Sequence, residues 1–290
     1  MTAASGLVIV DKPAGLTSHD VVARVRRLAG TRRVGHAGTL DPMATGVLVV
    51  GVEKATRLLG HLALTEKEYL ATIRLGQATD TGDADGTVVS ASPAGGLTLA
   101  QVRAATATLT GDIQQVPPAV SAVKVGGRRA YQLAREGKAP VLDARPVTVH
   151  EFTVSDPRPA GGLLDVTAAV RCSSGTYVRA LAGDLGASLG VGGHLTMLRR
   201  TRVGPYRLSD AHGLAELAAE FRVIPLAEAA AAAFPVRPLT EAEAQSLSHG
   251  ASLDAVGAAG PVAALAPDGI LVALVEERDG RARPLAVFVS

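Results

Sequence analysis

A glycine-rich segment that runs directly into an apolar stretch limits the possible fold more than any other part of this chain. The segment VGHAGTLDPMATG contains one carboxylate, Asp41, and the apolar stretch behind it covers Val47 to Val52. This stretch has the length of a buried strand and is far too short to span a membrane. No other acidic residue occurs between Asp20 and Glu53. The sequence therefore predicts a strand whose leading loop carries an isolated carboxylate.

The chain as a whole has the composition of a globular protein. It contains 290 residues, of which 47% are hydrophobic, enough for one large or two unequal domains with a buried core. The single cysteine, Cys172, excludes an internal disulfide and a multi-cysteine metal site. The histidines are scattered without an HxxxH pair, so no metal site is expected. Because the N-terminal residues do not resemble a signal peptide, we expect a cytoplasmic protein without membrane association.

Basic residues cluster even though the formal net charge is only +2. Such clusters are typical either of solvated helix faces and loops or of a surface that follows a phosphate backbone, and charge alone does not separate the two. The first cluster contains Arg24, Arg26, Arg27, Arg32 and Arg33, the second Lys124, Arg128, Arg129, Arg135 and Lys138, and the third Arg199, Arg200, Arg202 and Arg207.

The order of the secondary structure predicts an α+β fold around a mixed or antiparallel β-sheet core with flanking helices, because strands and helices are mixed without strict alternation. Strands are predicted at 6–13, 46–52, 68–76, 147–154 and 163–172, and helices at 18–30, 97–111, 130–137 and 176–190. Ser18 is the predicted N-cap of the first helix, and Gly30 its end. Pro and Gly residues mark a loop within 115–137 that leads into a short basic helix.

A domain boundary is predicted after an alanine run, Ala229 to Ala233, that is followed by FPVRP. The remaining residues have a helix and several short strands of their own, as a small separate domain would. We therefore expect a large domain at 1–234 and a small β domain at 235–290.

The residues around Asp41 leave two interpretations open. An isolated Asp-Pro pair is usually a turn, in which Asp caps backbone amides and Pro fixes φ. Here, however, Gly35, Gly38 and Gly46 would let the backbone approach another molecule closely. A buried carboxylate needs a cationic partner, and no second acid lies nearby to form a glycosidase-like pair. An ionised Asp held by an arginine is a plausible nucleophile.

The segment GHAGTLDPMATGVL resembles the catalytic motif of the TruB family of tRNA pseudouridine-55 synthases. Five further segments resemble family motifs in the same order: VDKPAGLTSHDVV, KEYLATIRLGQATDTGDADG, QVPPAVSAVKVGGRRAYQLAREG, SSGTYVRALAGDLG and HLTMLRRTRVGPY. Together they span about residues 7 to 210. Val120 departs from the family pattern, in which an aromatic residue is frequent at this position. The C-terminal segment, which is actinobacterial-like, loosely resembles a PUA-type RNA-binding domain.

The resemblance implies a pseudouridine synthase fold, with an insertion at about 114–146 as a thumb-like flap, and an isomerase that needs no cofactor and no metal. Asp41 would be the covalent nucleophile that attacks the target uridine, and the base would rotate and rejoin the ribose through C5. Arg179 would pair with Asp41 and keep it ionised and oriented. Without the resemblance, Arg179 would be an ordinary salt-bridge residue on a helix.

The resemblance also implies how the base is bound. A uridine in a folded RNA loop must be flipped out, and a flipped base needs a stacking surface. The remaining candidate site residues are Tyr69 for stacking, Tyr177 and Leu198 for lining the uracil pocket, His36 for contacting RNA, and Lys12 for packing against the catalytic loop or contacting phosphate. Each could also be an ordinary core or structural residue. Asp80 is expected to organise a turn.

The partner implied by the resemblance is the T-arm stem-loop of tRNA, bound by a monomeric enzyme with the basic clusters along its groove. Two alternatives stay open. One is a pseudouridine synthase that acts on another RNA, such as the guide-directed enzymes, although this chain lacks their long basic extensions. The other is a tRNA-binding RNA chaperone without catalysis, which the complete set of Asp41, Tyr69 and Arg179 argues against.

Overall fold

The computed structural model describes residues 4–118, 120, 121, 123–129, 136 and 142–289. Its helices are α1 (Ser18–Ala29), α2 (Leu59–Leu62), α3 (Leu99–Thr108), α4 (Val178–Ser188), α5 (Leu214–Ala219), α6 (Leu226–Ala233) and α7 (Glu241–Ser248), with short 3₁₀ turns at Glu53–Arg57 and Leu208–Asp210. Its strands are β1 (Gly6–Lys12), β2 (Val34–Ala37), β3 (Thr45–Val52), β4 (Lys67–Leu75), β5 (Gln77–Thr79), β6 (Val88–Ala91), β7 (Gly111–Gln115), β8 (Lys124–Val125), β9 (Arg128–Arg129), β10 (Arg145–Ala160), β11 (Leu163–Cys172), β12 (Gly193–Val203), β13 (Tyr206–Arg207), β14 (Ile224–Pro225), β15 (Val236–Pro238), β16 (Leu253–Asp254), β17 (Pro261–Leu265), β18 (Leu271–Arg278) and β19 (Arg281–Val287).

The centre of the molecule is a mixed sheet of ten strands. The main path runs β14-β1-β3-β12-β4-β11-β10-β7, with β2 added to β3 and β13 to β12. Strands β12 and β3 pair in parallel, whereas β4 pairs antiparallel with both β12 and β11. The prediction of an α+β fold around a mixed sheet is therefore confirmed. Strand β4 alternates buried and more exposed residues, as expected for a strand with one face on the core.

The N-cap of helix α1 lies one residue before the predicted cap, Ser18. The cap is Thr17, whose hydroxyl accepts a hydrogen bond from the Asp20 N–H, while the Asp20 carboxylate accepts one from the Thr17 N–H. This reciprocal capping box satisfies two N–H groups at once. The predicted cap, Ser18, is buried and bonds to the Asp41 loop instead. Gly30 ends the helix in a left-handed conformation, as predicted.

Several strands were not predicted from the local pattern, and three of them, β2, β7 and β12, are members of the large sheet with four or more residues. Strand β2 is short and contains a glycine and a histidine, β7 ends in polar residues, and β12 contains three arginines. Strand β10 is also longer than its predicted core, because it continues past a bulge to Ala160. The predicted helix at 130–137 lies outside the described residues except for Glu136.

The C-terminal residues form a small β domain, a sheet of five strands in the order β15-β17-β18-β19-β16 with α7 beside it. One buried cluster joins this sheet to the larger body, since Leu271, Leu274 and Phe288 pack with Leu7 of β1 and Ala230 of α6. The boundary at 234/235 stays a prediction. Within the described ranges, no helix is both long and apolar enough to cross a membrane.

Candidate active site

Asp41 lies in the loop of residues 38–44 that joins β2 to β3. The Ala44 N–H donates to the Asp41 carbonyl at 3.1 Å, which closes a tight turn around Asp-Pro. Gly38, at the start of the loop, has φ +76°, a conformation that a side chain would strain. At Gly46, just after the loop, a Cβ atom would collide with the Arg200 carbonyl oxygen of the neighbouring strand. The glycines therefore let the loop lie close against β12.

The carboxylate of Asp41 is held by Arg179. The Arg179 Nε donates to Oδ2 at 2.8 Å and Nη2 to Oδ1 at 3.3 Å, a two-point contact that fixes the plane of the carboxylate. The side chain of Arg179 is 4% exposed, whereas that of Asp41 is 32% exposed. One edge of the carboxylate thus stays open to a reacting molecule while its counter-ion is buried. Arg179 lies in the first turn of α4, so the helix sets its position.

Arg179 has further partners that the sequence did not reveal. Its Nη1 donates to the Thr81 carbonyl at 2.7 Å, and its Nη2 to the Val120 carbonyl at 2.8 Å. Val120 takes part in this hydrogen bond only through its backbone carbonyl. The bond therefore does not depend on the aromatic side chain that is frequent at this position in the family. The buried carboxylate of Asp83 lies 3.6 Å from Nε. Arg179 is therefore shared by Asp41, Asp83 and the base of the insertion.

Asp83 was missed because it stands in a turn-rich segment, TDTGDADG, whose acids look alike in sequence. The structure separates them. Asp80 accepts a hydrogen bond from the Thr87 N–H at 2.8 Å and organises the turn, which fits its expected role. Asp83 accepts the Thr81 hydroxyl at 2.6 Å and the Asp85 N–H at 3.2 Å, and its other oxygen faces Arg179.

The side chain of Lys12 is fully buried and anchors the other end of the loop. Its Nζ donates to the carbonyls of Pro13, Leu16 and Pro42, the last at 3.2 Å. Burial lowers the pKa of Lys12 to about 8, and the nearby Asp41 carboxylate opposes that shift. Of its two predicted roles, the geometry supports packing against the catalytic loop, because phosphate would have to reach a buried ammonium group.

Tyr69 and Leu198 pack with the loop in the main hydrophobic core. Both belong to the buried cluster that contains Leu40 and Ala44 of the loop itself, and Tyr69 is 8% exposed. Burial raises the pKa of Tyr69, while the Arg200 guanidinium next to its hydroxyl lowers it. Tyr69 therefore stays protonated at neutral pH. Its stacking role remains a prediction, since most of its ring is already covered by protein.

Tyr177 connects the insertion to helix α4. The Tyr177 N–H donates to Gln115 Oε1 at 2.8 Å, and Gln115 Nε2 donates to the Tyr177 carbonyl at 3.2 Å. The Tyr177 ring packs against Val123 and Leu142 at the two ends of the insertion. This residue thus lies between the insertion and Arg179, two positions further along the chain. The middle of the insertion falls largely outside the described residues, so the flap prediction stays untested.

His36 lies on β2, just before the loop, with its ring edge against His19 of α1 at a centroid distance of 5.5 Å. Its Nδ1 is buried and has no hydrogen-bond partner among the described atoms. Burial, and then the neighbouring His19 and Arg200, lowers the pKa of His36 to about 4. The ring is therefore neutral near pH 7. The contact with RNA that was predicted for it remains a prediction.

The structure thus gathers the predicted site residues around one loop, although they come from distant parts of the chain. Arg179 contacts Asp41 directly, Lys12 holds the loop carbonyl of Pro42, and Tyr69 and Leu198 support the loop from below. Within the described part of the chain, no group of three or more His, Cys, Asp or Glu side chains is arranged to hold a metal ion.

Family models cover nearly the whole chain. Residues 26–178 match the model described as TruB family pseudouridylate synthase, N terminal domain. The chain belongs to the TruB family. Two further TruB models, tRNA pseudouridylate synthase B C-terminal domain and tRNA Pseudouridine synthase II, C terminal, match residues 179–231 and 234–289.

Relatives of this TruB-family chain match along its full length. A protein named tRNA pseudouridine synthase B from Thermobifida fusca is 65% identical over 99% of both chains. One of the same name from Streptomyces coelicolor is 57% identical over 99% of this chain and 98% of its own. Among solved structures, a chain of a Cbf5-Nop10-Gar1 complex is 26% identical, with a TM-score of 0.76 over 98% of this chain and 85% of that chain. A chain of an H/ACA RNP bound to a substrate RNA containing 2′-deoxyuridine is 25% identical, with a TM-score of 0.74 over the same shares of the two chains.

Proposed function

We propose that this protein isomerises a uridine of tRNA to pseudouridine at position 55 in the T loop, with Asp41 as the nucleophile. The observation that carries the proposal is the Asp41 carboxylate, held at two points by a buried arginine yet open on one edge, in a chain of the TruB family. The relatives named tRNA pseudouridine synthase B support tRNA as the substrate.

In the proposed reaction the Asp41 carboxylate supplies the nucleophile. In the isomerisation the bond from N1 to the ribose breaks, and Asp41 forms a covalent bond to the uridine. The base rotates and rejoins the ribose through C5, and the bond to Asp41 breaks, which frees the carboxylate. C5 gives up a proton and N1 gains one, so substrate and product contain the same atoms. The Arg179 contact keeps Asp41 ionised and oriented for attack, which is the positioning effect that a nucleophile needs. Tyr69, Tyr177 and Leu198 are proposed to receive the flipped base.

The first basic cluster is the best candidate for contact with the tRNA backbone. All five of its arginines are exposed, and among the described residues Arg24, Arg27 and Arg32 form no ion pair. Helix α1, which carries part of this cluster, starts beside the active-site loop. In the second cluster, the hairpin of β8 and β9 carries Lys124, Arg128 and Arg129, whereas Arg135 and Lys138 lie outside the described residues.

Most arginines of the third basic cluster interact with other groups of the protein. This differs from the expectation that all three basic clusters line the groove for tRNA. Arg199 pairs with Asp11 at 2.7 Å and Arg202 with Glu68 at 2.7 Å. Arg200 is 1% exposed. These side chains interact with the protein because the register of β12 points them at acids or into the core, so we expect phosphate contacts from the first cluster instead.

The test uses an unmodified tRNA transcript in the presence of a chelator. Pseudouridine is mapped by site-specific chemistry after incubation with the wild type and with Asp41→Asn, and tRNA binding is measured for both. We expect pseudouridine in the T loop from the wild type alone, with equal binding by the variant, because the substitution keeps the shape of the side chain and removes its charge.

Other outcomes would contradict the proposal. Tight binding without pseudouridine from the wild type would favour the chaperone, and pseudouridine only in another RNA would favour a synthase of different specificity. Unchanged activity of Asp41→Asn would exclude the nucleophile. The T-loop position, the monomeric state and the cytoplasmic location are predictions of this proposal.

A further inference from the structure

Arg200 is among the most deeply buried large side chains in the described structure, at 1% exposure. It lies on β12 between Gly46 of β3 and Tyr69 of β4. A buried guanidinium group is unfavourable unless its N–H groups find acceptors and its charge is compensated. Its neighbours Arg199 and Arg202 have carboxylate partners. Among the described residues Arg200 has none within ion-pair distance, so a purely stabilising role explains it poorly.

The acceptors that Arg200 does find belong to the active-site loop and the strand behind it. Its Nη2 donates to the Gly38 carbonyl at 3.1 Å and its Nη1 to the Thr39 carbonyl at 3.3 Å. Its Nε donates to the Val47 carbonyl at 2.8 Å. One planar group therefore ties the residues just before Asp41 to the start of the core of β3.

The rest of the loop is held from the opposite side. The Ser18 hydroxyl bonds to both the N–H and the carbonyl of Leu40, at 2.9 and 3.1 Å. Lys12 and the Gly15 N–H both donate to the Pro42 carbonyl. Asp41 thus lies between two anchored segments, and its side chain is fixed by Arg179. Arg200 supplies the anchor on the N-terminal side.

We propose that Arg200 is a positioning residue for the isomerisation, which holds the Gly38 and Thr39 carbonyls so that the Asp41 carboxylate keeps its two-point contact with Arg179. The inference rests on the proposed function, and it assigns Arg200 no contact with RNA. Arg200 is also the register partner of Tyr69 on the adjacent strand β4. It therefore connects the loop with the residue proposed to stack on the base.

A lysine could not replace this arrangement. The guanidinium directs its N–H groups in a fixed plane, and here they point to three carbonyls on two segments of chain. An ammonium group on a shorter side chain would keep the charge but reach fewer of them. A shift of the loop by about 1 Å is enough to lower the rate of an enzyme by roughly 100-fold.

The experiment compares Arg200→Lys with a matched control, Arg237→Lys. Arg237 is also buried, at 9% exposure, and donates to the Asp254 carbonyl and to Glu243, but it lies in the C-terminal domain. For each variant we measure the thermal midpoint, the Kd for tRNA, and the single-turnover rate of pseudouridine formation with saturating enzyme. All rates are taken well below the lowest midpoint.

We expect Arg200→Lys to lower the single-turnover rate on the order of 10- to 100-fold with Kd within about twofold of the wild type. Arg237→Lys should leave the rate unchanged even if its midpoint falls. Arg200→Gln, which removes the buried charge and keeps two N–H donors, is the second variant if Arg200→Lys does not fold.

Three results would overturn the inference. They are a wild-type rate in a folded Arg200 variant, a weaker Kd with an unchanged rate, and failure of both Arg200 variants to fold while Arg237→Lys folds. The last would assign Arg200 to stability alone. An inactive wild type would instead overturn the proposed function, so the two failures are distinguishable.

Discussion

The side chains that surround the Asp41 loop come from distant parts of the sequence. Asp41 has an isolated place in the sequence, yet three buried cations lie around its loop: Lys12, Arg179 and Arg200. Only Arg179 contacts the carboxylate, while the other two bind backbone carbonyls. The loop is thus held by cationic side chains from β1, α4 and β12, which lie far apart in the sequence and which no local pattern could link.

Asp83 should influence the reaction through Arg179. Asp83→Asn removes the second negative charge near the Arg179 guanidinium, so we expect the single-turnover rate to fall about tenfold, which corresponds to about 1.4 kcal/mol. Asp80→Asn is the matched control, because it makes the same change in the same turn at a residue that bonds to Thr87. Equal losses in both variants would show that only the turn matters.

His36 should make the folded protein sensitive to acid. Its folded-state pKa of about 4 lies below the ordinary histidine pKa of 6.5, so between these pH values the unfolded chain binds a proton that the native chain does not. The free energy of unfolding should therefore fall as the pH falls from 6.5 to 4. Urea titrations across this window should show a smaller fall for His36→Gln, and the exposed His249→Gln should behave like the wild type.

At the level of elements, the periodic pattern located α1, β4 and β11 well. Strand β11 was predicted at 163–172, and the structure has Leu163–Cys172. The missed strand β12 has a physical reason. Two of its three arginines form ion pairs and the third binds the active-site loop, so its sequence lacks the apolar alternation of an ordinary strand.

Two neighbouring hydroxyl groups at the start of α1 are expected to have different roles, one in stability and the other in the reaction. Thr17→Ala removes the N-cap, which should lower the free energy of unfolding by about 1 kcal/mol without changing the rate. Ser18→Ala removes both bonds to Leu40 and should lower the rate severalfold. Urea denaturation and single-turnover assays on both variants check this prediction. If Thr17→Ala lowered the single-turnover rate and Ser18→Ala did not, the roles of the two hydroxyl groups would be reversed.

At the scale of the whole molecule, the C-terminal sheet is packed onto the catalytic body through a shared apolar cluster. Leu271, Leu274 and Phe288 bury their side chains with residues of β1 and α6. Apolar contact of this kind couples the unfolding of two units, because separating them exposes the cluster to water. We therefore expect one unfolding transition for the whole chain.

Phe288→Ala should reveal this coupling. The side chain is 2% exposed, and its removal should lower the free energy of unfolding by about 3–5 kcal/mol. Urea titrations followed by circular dichroism and by tRNA binding should shift together. Leu285→Ala, at a residue of β19 that is 38% exposed, should change stability little. A second, separate transition in Phe288→Ala alone would indicate that the variant has uncoupled the two units.

The sequence by itself determined the fold class, the family and the central pair of Asp41 and Arg179. It could do so because hydrophobic periodicity reports strands and helices locally, and because long motifs keep their order along the chain. Only the tertiary structure decided which groups the arginines on β12 bind, which of Asp80 and Asp83 lies beside Arg179, and which hydrogen bonds Ser18 and Gln115 form. Those outcomes depend on register and long-range pairing, since a strand's partners decide which side chains reach the core, which meet an acid and which face the loop.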